Sequence, residues 1–254
     1  MSGQLEALVT VGSTSARIAL VLVVVGTTAL AALVNVAGGL GQAWAVVRAS
    51  GRAVVQLLLV ALVVAAVLGS LALTFVFLAF MSTVASATAA RRLTRGRSGA
   101  WAALPVVAGS VPVVVLLVAS GLVPLAGTAL VPIGGILIGA AMTATVLAGR
   151  RALDALRTRH GEYEAALAVG LLPREAALLV AREDTALALV PGLDQTRTVG
   201  LVTLPGTFVG MLLGGATPAQ AAAVQLVVLV SLLLVQSVAV LAVLELVARD
   251  RIHP

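Results

Sequence analysis

The side chains that could carry chemistry are few, and most of them fall in one stretch of the chain. The 254 residues include ten acidic residues, two histidines and sixteen arginines, with neither cysteine nor lysine. Six of the ten acidic residues lie between Glu162 and Asp194. The lack of cysteine excludes disulfides and thiolate metal sites. The lack of lysine excludes a P-loop, whose lysine neutralises nucleotide phosphates, so any ATP used with this protein must bind to another chain.

The rest of the chain is apolar enough for a lipid bilayer. It is 61% hydrophobic and 10% charged, against about 25% charged residues in typical soluble domains, and its mean hydropathy is +1.16. Long apolar runs recur, and each is typical of a membrane-spanning helix. These features predict an all-α, polytopic integral membrane protein with one transmembrane domain over residues 1–254, surrounded by lipid. The net charge of +6 lies mainly between the apolar runs, which disfavours nucleic acid as a partner.

About seven spans are predicted, and a long polar connection, residues 150–198, separates the fifth from the sixth. Within it, residues 174–190 are apolar on both sides of Arg182-Glu183-Asp184. We interpret them as a helix on the cytoplasmic face, because each charge in mid-bilayer would cost about 2.5–3.5 kcal/mol. A re-entrant segment is the alternative. The predicted spans are residues 18–37, 53–69, 71–90, 101–120, 131–149, 199–215 and 218–245.

The arginines predict the orientation of these spans. Seven spans place the two termini on opposite sides of the membrane. With the N-terminus outside and the C-terminus in the cytoplasm, fifteen of the sixteen arginines face the cytoplasm and only Arg17 lies outside. Positively charged residues concentrate in cytoplasmic loops. Residues 1–17, which include Glu6, are therefore predicted to begin outside.

One motif in the polar connection suggests a contact surface for another protein. Glu164-Ala165-Ala166, followed by Gly170, resembles the first half of the EAA pattern of ABC-transporter permeases. In that pattern a short helix ended by glycine lies across the cytoplasmic face and docks on an ATPase. Gly161 and Gly170 can bound such a helix here, and Pro173 suits the first turn of the next one. The alternative is an amphipathic helix at the lipid surface.

A longer resemblance covers the chain from Arg52 to Gln225. Asp194, Arg197, Gly200, Pro205 and Gly206, within the sequence DQTRTVGLVTLPG, resemble the signature of the FetB-type permeases. These are membrane subunits of bacterial ABC exporters linked to iron efflux, and they are similar to plant permeases linked to aluminium tolerance. Further motifs match in the same order: Arg52 with Gln56 at the second span, Val131–Gly139 with Met142 at the fifth, and Gly215–Ala221 with Gln225 at the last.

The resemblance implies a permease subunit that is not itself an enzyme, in the cytoplasmic (inner) membrane. It implies export of a metal ion similar to iron, driven by a separate ATPase subunit that binds ATP and Mg²⁺, in an assembly of two permeases and two ATPases. No cofactor is expected on this chain. Ala140, Thr207 and Phe208 depart from the family pattern and remove possible polar or soft ligands from spans. An ABC permease for a non-metal solute and a channel or secondary transporter independent of ATP are the alternatives.

The spans offer no conventional metal ligands. Transition metals usually bind His, Cys or carboxylates, yet His160 and His253 map to the cytoplasmic side and Glu245 to a helix end. No metal-ligand set is therefore assigned. An intramembrane amide needs a hydrogen-bond partner, so the glutamines could contact either a substrate or a neighbouring helix. The polar and methionine candidates within spans are Asn35, Gln56, Gln225, Gln236, Met81, Met142 and Met211.

Glycines at four-residue spacing mark faces where another backbone can approach closely. Gly206, Gly210 and Gly214 form such a series in the sixth span, and Gly135 and Gly139 form a pair in the fifth. Both sets could form a dimer interface or translocation seam between two copies, or pack against spans of the same chain. An intramembrane serine protease using Ser110 is disfavoured, because no span contains a histidine to act as its base.

Overall fold

The structure is a computed structural model that describes residues 13–253. The predicted outside location of Glu6 and the rest of the N-terminal end thus lies outside the described residues. The chain divides into two compact units, one comprising Met1–Ala66 with Met211–Ala216 and the other Val67–Gly210 with Thr217–Pro254. Residues 13–253 form ten α-helices: α1 Thr14–Ala37, α2 Ala43–Leu68, α3 Leu71–Leu93, α4 Ala103–Ala119, α5 Gly127–Thr158, α6 His160–Ala168, α7 Pro173–Ala186, α8 Val190–Thr198, α9 Gly206–Leu213 and α10 Pro218–Ala248.

Six helices within the described chain are long and apolar enough to cross a membrane. They are α1, the stretch Ala43–Val64 of α2, α3, α4 with the 3₁₀ turn that precedes it, α5 and α10. This confirms the predicted all-helical class and a polytopic membrane protein. Local capping interactions determine where these helices begin and end. For example, the Thr217 side chain accepts a hydrogen bond from the backbone N–H of Gln220, and Pro218 occupies the first turn of α10.

Residues 199–215, predicted as a short sixth span in which Pro205-Gly206 suggests an interrupted helix, do not form one long helix. Gly200 adopts a left-handed φ of +81°, and its N–H donates to the carbonyl of Thr203 at 2.9 Å. Pro205 has no N–H to continue a helix. Helical structure begins only at Gly206 and ends at Leu213. Eight residues extend about 12 Å, against a bilayer core of about 30 Å.

In the unit that begins at Val67, α3, α5 and α10 run parallel. A Cβ at Gly134 would meet Leu78 of α3, and one at Gly149, fifteen residues later, would meet Leu93 of the same helix. The Cβ at Gly149 would also meet Val243 of α10. Nearer the start of α5, Ala141 lies close to Gly109 of α4, and Val235 and Ala239 of α10 lie close to the same glycine. A Cβ at Gly109 would lie 2.9 Å from the Val235 carbonyl oxygen.

The parallel course of α5 and α10 requires a return of the chain between them. The return lies between Thr158, at the end of α5, and Pro218, at the start of α10. It begins with α8, because a Cβ at Gly192 would lie 2.0 Å from Oε1 of Gln236. Gln236 precedes Glu245 by nine residues, or about 14 Å of helix. The polar connection consists of the helices α6, α7 and α8, and α8, the last of them, packs on α10.

The unit that contains α1 presents mainly apolar surface. All residues of α1 are described and none of them is buried. In α2, the side chains from Gly51 to Val63 are exposed. Such surfaces are typical of helices that face lipid or another membrane protein, where the helix satisfies its own backbone hydrogen bonds.

Candidate docking face at the arginine-rich end

Twelve of the arginines gather where α3, α5 and α10 end and α4 begins, which we call the arginine-rich end. The Arg150 Nε donates to the Arg92 carbonyl at 3.0 Å. The guanidinium carbon of Arg251 lies 5.3 Å from the centre of the Trp101 ring, and the Ser98 hydroxyl donates to the carbonyl of His253 at 2.9 Å. The twelve are Arg91, Arg92, Arg95, Arg97, Arg150, Arg151, Arg157, Arg159, Arg174, Arg182, Arg249 and Arg251.

The predicted EAA segment forms α6 at this end. Ala166 is buried against the protein, whereas Glu164 and Ala165 are exposed. Gly170 ends the segment in a left-handed conformation with a φ of +97°. The N–H of Leu171 donates to the Ala166 carbonyl at 3.1 Å, the pattern of a glycine-terminated helix. Gly170 therefore forms the turn, and the exposed side chains at this turn belong to the residues before and after it.

Apolar side chains are exposed at this turn and on α7, which follows it. Val169 is 77% exposed, Leu172 65% and Leu179, on α7, 66%. Glu164, on α6, is exposed as well, and its Oε1 lies 3.4 Å from Nε2 of His160. We name Glu164, Ala165, Val169, Leu172 and Leu179 the docking face. It combines exposed apolar side chains with a carboxylate, and it lies outside the apolar part of the helix bundle.

The helix α7 attaches the docking face to the bundle. Its inward residues Ala176, Ala177, Val180 and Ala181 are buried, and these small side chains permit close packing on α5 and α10. Pro173 opens the helix, and Glu175 accepts a hydrogen bond at 3.1 Å from the N–H of Leu172. The capping interaction fixes the direction in which the chain leaves the Gly170 turn.

Ion pairs hold α7 at both ends. Near its C-terminus, Asp184 accepts a hydrogen bond from Arg159, which also donates to the carbonyl of Val180. At its start, Arg174 donates to both carboxylate oxygens of Glu245 on α10, at 2.6 and 2.8 Å. This hydrogen bond with Glu245 raises the pKa of Arg174. Sequence reasoning had placed Glu245 at a helix end but had not paired it with Arg174.

The other signature residues occupy four places. Arg52 and Gln56 are exposed on α2, in the unit that begins at Met1. Asp194 and Arg197 are exposed on α8 and lie 3.4 Å apart, from Oδ1 to Nη1. Gly200 makes the left-handed turn after α8. Pro205 and Gly206 mark the start of α9, where the carbonyl of Pro205 accepts from the N–H of Val209 at 3.2 Å.

The predicted glycine faces behave differently from one another. A Cβ at Gly135 would lie 3.0 Å from Cε of Met81, so Gly135 packs within the chain. At Gly139, Gly206 and Gly210, an added Cβ would meet no atom of the described residues within 4 Å. Gly214 follows α9 in a turn and does not share its helix. The glycines that do make close contacts between helices include Gly109, Gly149 and Gly192, which spacing alone had not singled out.

The polar residues of the spans form no conventional metal centre. The described residues contain no group of three or more His, Cys, Asp or Glu side chains that could hold an ion. Gln225 is 6% exposed, and its Oε1, like that of Gln236, has no hydrogen-bond partner within the described chain. Ser110 is fully buried and donates to the Val106 carbonyl at 2.7 Å, so its hydroxyl is engaged within its own helix.

Comparison with known proteins confirms the resemblance seen in the motifs. Residues 17–252 match the model of the Uncharacterised protein family (UPF0014). The chain is 34% identical over 206 residues to the UPF0014 membrane protein STAR2 of Oryza sativa subsp. japonica, covering 79% of this chain and 72% of that protein. It is 37% identical over 151 residues to the protein ALUMINUM SENSITIVE 3 of Arabidopsis thaliana, covering 59% and 55% respectively.

A bacterial relative extends the comparison. The chain is 29% identical over 188 residues to the probable iron export permease protein FetB of Escherichia coli (strain K12), covering 72% of each protein. No solved structure matches the chain. The family match extends over almost the whole chain and includes the docking face, α8, α9 and α10. This chain belongs to the UPF0014 family of membrane proteins.

Proposed function

We propose that this protein is the membrane-spanning permease subunit of an ABC transporter of the cytoplasmic membrane, driven by a separate ATPase subunit that binds ATP and Mg²⁺. The docking face is the observation that carries the proposal. Exposed apolar side chains grouped on one surface are typical of a site that another protein covers. The relative named as a probable iron export permease supports the same class of function.

The composition of α6 favours a protein partner over the lipid surface. A helix that lies in a membrane interface separates an apolar face from a polar one. In α6, Glu162, Glu164 and Ala165 are exposed together, and Ala166 faces the protein. In addition, α5 extends nine residues past Gly149, about 14 Å, and carries α6 away from the apolar part of the bundle.

The course of α8 and α9 supports a pathway at a contact between two copies. Because α5 and α10 are parallel, the chain crosses the membrane once between them, and the stretch from α8 to α9 makes this seventh crossing. The C-terminus and the arginine-rich end then lie in the cytoplasm. An interrupted crossing must be buried in protein or line a cavity. The exposed pair Asp194–Arg197 and the open face at Gly206 and Gly210 fit a water-filled seam between two permeases.

We propose a metal ion similar to iron as the transported species, and export as the direction. In that case, oxygen donors such as the carboxylate of Asp194 would contact it during passage. The test is co-expression with candidate ATPases, purification of the complex in lipid nanodiscs and ATP-dependent uptake of iron into inside-out vesicles. A complex that transports only an organic solute would replace the metal proposal. Transport without any associated ATPase would exclude the ABC class and favour a channel or secondary transporter.

Gly210→Leu is expected to prevent the association of two permeases and to leave each chain folded. The added side chain has free space within its own chain, since a Cβ at position 210 would meet no described atom within 4 Å. A second backbone packed on this face would be displaced. The measurement is the mass of the permease particle in native mass spectrometry. Gly26→Leu, on the exposed side of α1, is the matched control. An unchanged dimer in Gly210→Leu would place the seam elsewhere.

A further inference from the structure

One carboxylate joins the start of α7 to the end of α10. Glu245 accepts both hydrogen bonds of the Arg174 guanidinium, at 2.6 and 2.8 Å. It also accepts a bond at 2.5 Å from Nε of Arg249, one turn further along α10. Two parallel charge-assisted bonds fix the direction of a contact as well as its distance. Arg174 and Glu245 are therefore held in one mutual orientation.

The pair lies at the edge of a groove, beside the packing of α7 on α10. A groove lies between the α6–α7 hairpin and the end of α10, lined among others by His160, Tyr163, Leu172, Val247 and Arg249. Within the described chain, Arg174–Glu245 is the ion pair that bridges from the hairpin to α10. A force applied at the docking face thus reaches α10 through this contact and the small-residue packing beneath it.

The far end of α7 is held by Arg159, which follows α5 and binds Asp184. Consequently α7 connects the C-terminal end of α5 to that of α10. The ion pair at Asp184 joins α7 to the helix that leads into α6, and the ion pair at Arg174 joins it to the last span. A tilt of α6 and α7 would change the position of α10 relative to α5.

We propose that Glu245 is a positioning residue that transmits movement of the docking face to α10 when the ATPase subunit binds nucleotide. The inference rests on the proposed function, since it requires a partner that moves α6 and α7. This role of Glu245 requires no contact with nucleotide or transported substrate. Glu245 acts by keeping Arg174 attached to α10, while Nε of Arg249 donates to the same carboxylate oxygen, Oε1, as Nε of Arg174.

The experiment follows α10 directly and needs no knowledge of the substrate. The chain contains no cysteine, so a single cysteine at Ser237, an exposed position of α10, reports the local environment through its labelling rate. The complex with the ATPase is placed in nanodiscs and labelled with and without a non-hydrolysable ATP analogue. Glu245→Gln, Arg174→Gln and the double variant are compared with the parent protein.

Nucleotide is expected to change the labelling rate at position 237 in the parent, and Glu245→Gln should reduce that change about fivefold or more, within the usual range of coupling between sites. ATPase association should stay within about twofold, because the docking face is intact. The double variant should be no worse than either single variant, since both remove the same contact.

The matched control is Asp154→Asn, which removes the exposed pair with Arg157 at 2.7 Å in the same region and should leave the labelling response unchanged. A full response in Glu245→Gln, or equal losses in Asp154→Asn, would overturn the inference. A parent protein that binds no ATPase would instead overturn the proposed function. A merely structural role would lower the thermal stability of Glu245→Gln without the selective loss of the nucleotide response, and that result also counts against transmission.

Discussion

Gly109→Leu is expected to destabilise the helix bundle by roughly 1–3 kcal/mol or more, the usual consequence of overpacking. A Cβ at this position would lie 2.9 Å from the backbone oxygen of Val235, and 3.4 and 3.5 Å from the Cβ atoms of Ala239 and Ala141. Backbone cannot rotate away as a flexible side chain can. The four added carbon atoms would therefore push α4 away from both α5 and α10.

The measurement is thermal unfolding of the purified protein in detergent, together with the yield of monodisperse protein. Gly139→Leu is the control, because it places the same side chain in α5, where an added Cβ would meet no described atom within 4 Å. The midpoint of Gly109→Leu should fall by several degrees relative to that of Gly139→Leu. Equal midpoints for the two variants would show that α4 does not approach α10 as closely as described.

Val169→Asp combined with Leu172→Asp is expected to weaken ATPase association by roughly tenfold to a hundredfold, the effect of removing central apolar contacts from a protein interface. Both side chains are largely exposed, at 77% and 65%. Their replacement removes nothing from the core of the permease. ATP-dependent transport should fall together with association, because the bound ATPase supplies the energy.

Binding of the purified ATPase to the permease in nanodiscs measures this effect. Thr158→Asp is the matched control, because it adds a carboxylate at an exposed position of α5 near the same end. Gly170→Leu is a poorer test of docking. Its φ of +97° disfavours any side chain, so a loss of binding could come from an altered turn. If the double aspartate variant binds ATPase as the parent does, the docking face lies elsewhere.

The helix class and the general membrane character could be read from the sequence because they depend on local composition. Apolar runs of sufficient length predict spans whatever their neighbours are. Six of the seven predicted spans correspond to long helices of the structure. The same holds for α6, where the glycine after the Glu164-Ala165-Ala166 motif marks the end of the helix. The family resemblance followed from motifs in the right order and was confirmed over residues 17–252.

The tertiary structure decided how distant residues meet. Hydropathy counts residues 199–215 as apolar enough for a span, and Pro205-Gly206 predicts an interruption of its helix; the structure adds a left-handed turn at Gly200. The spacing of glycines suggested Gly135 and Gly139 equally, but only Gly135 faces a neighbouring side chain, that of Met81. Whether a glycine makes a close contact depends on which helix lies opposite it. The spacing of glycines within one helix carries no information about that neighbour.

From the sequence alone follow an all-helical membrane protein, the concentration of its arginines between particular spans, and a short helix at the Glu164-Ala165-Ala166 motif. The pairing of Arg174 with Glu245, 71 residues away, and the contact of Gly192 with Gln236 depend on the packing of distant helices. Each arginine of the long connection could have paired with any of several carboxylates. The choice among them was fixed by the parallel packing of α5 and α10, because that packing brings the ends of both helices to the same place as α7.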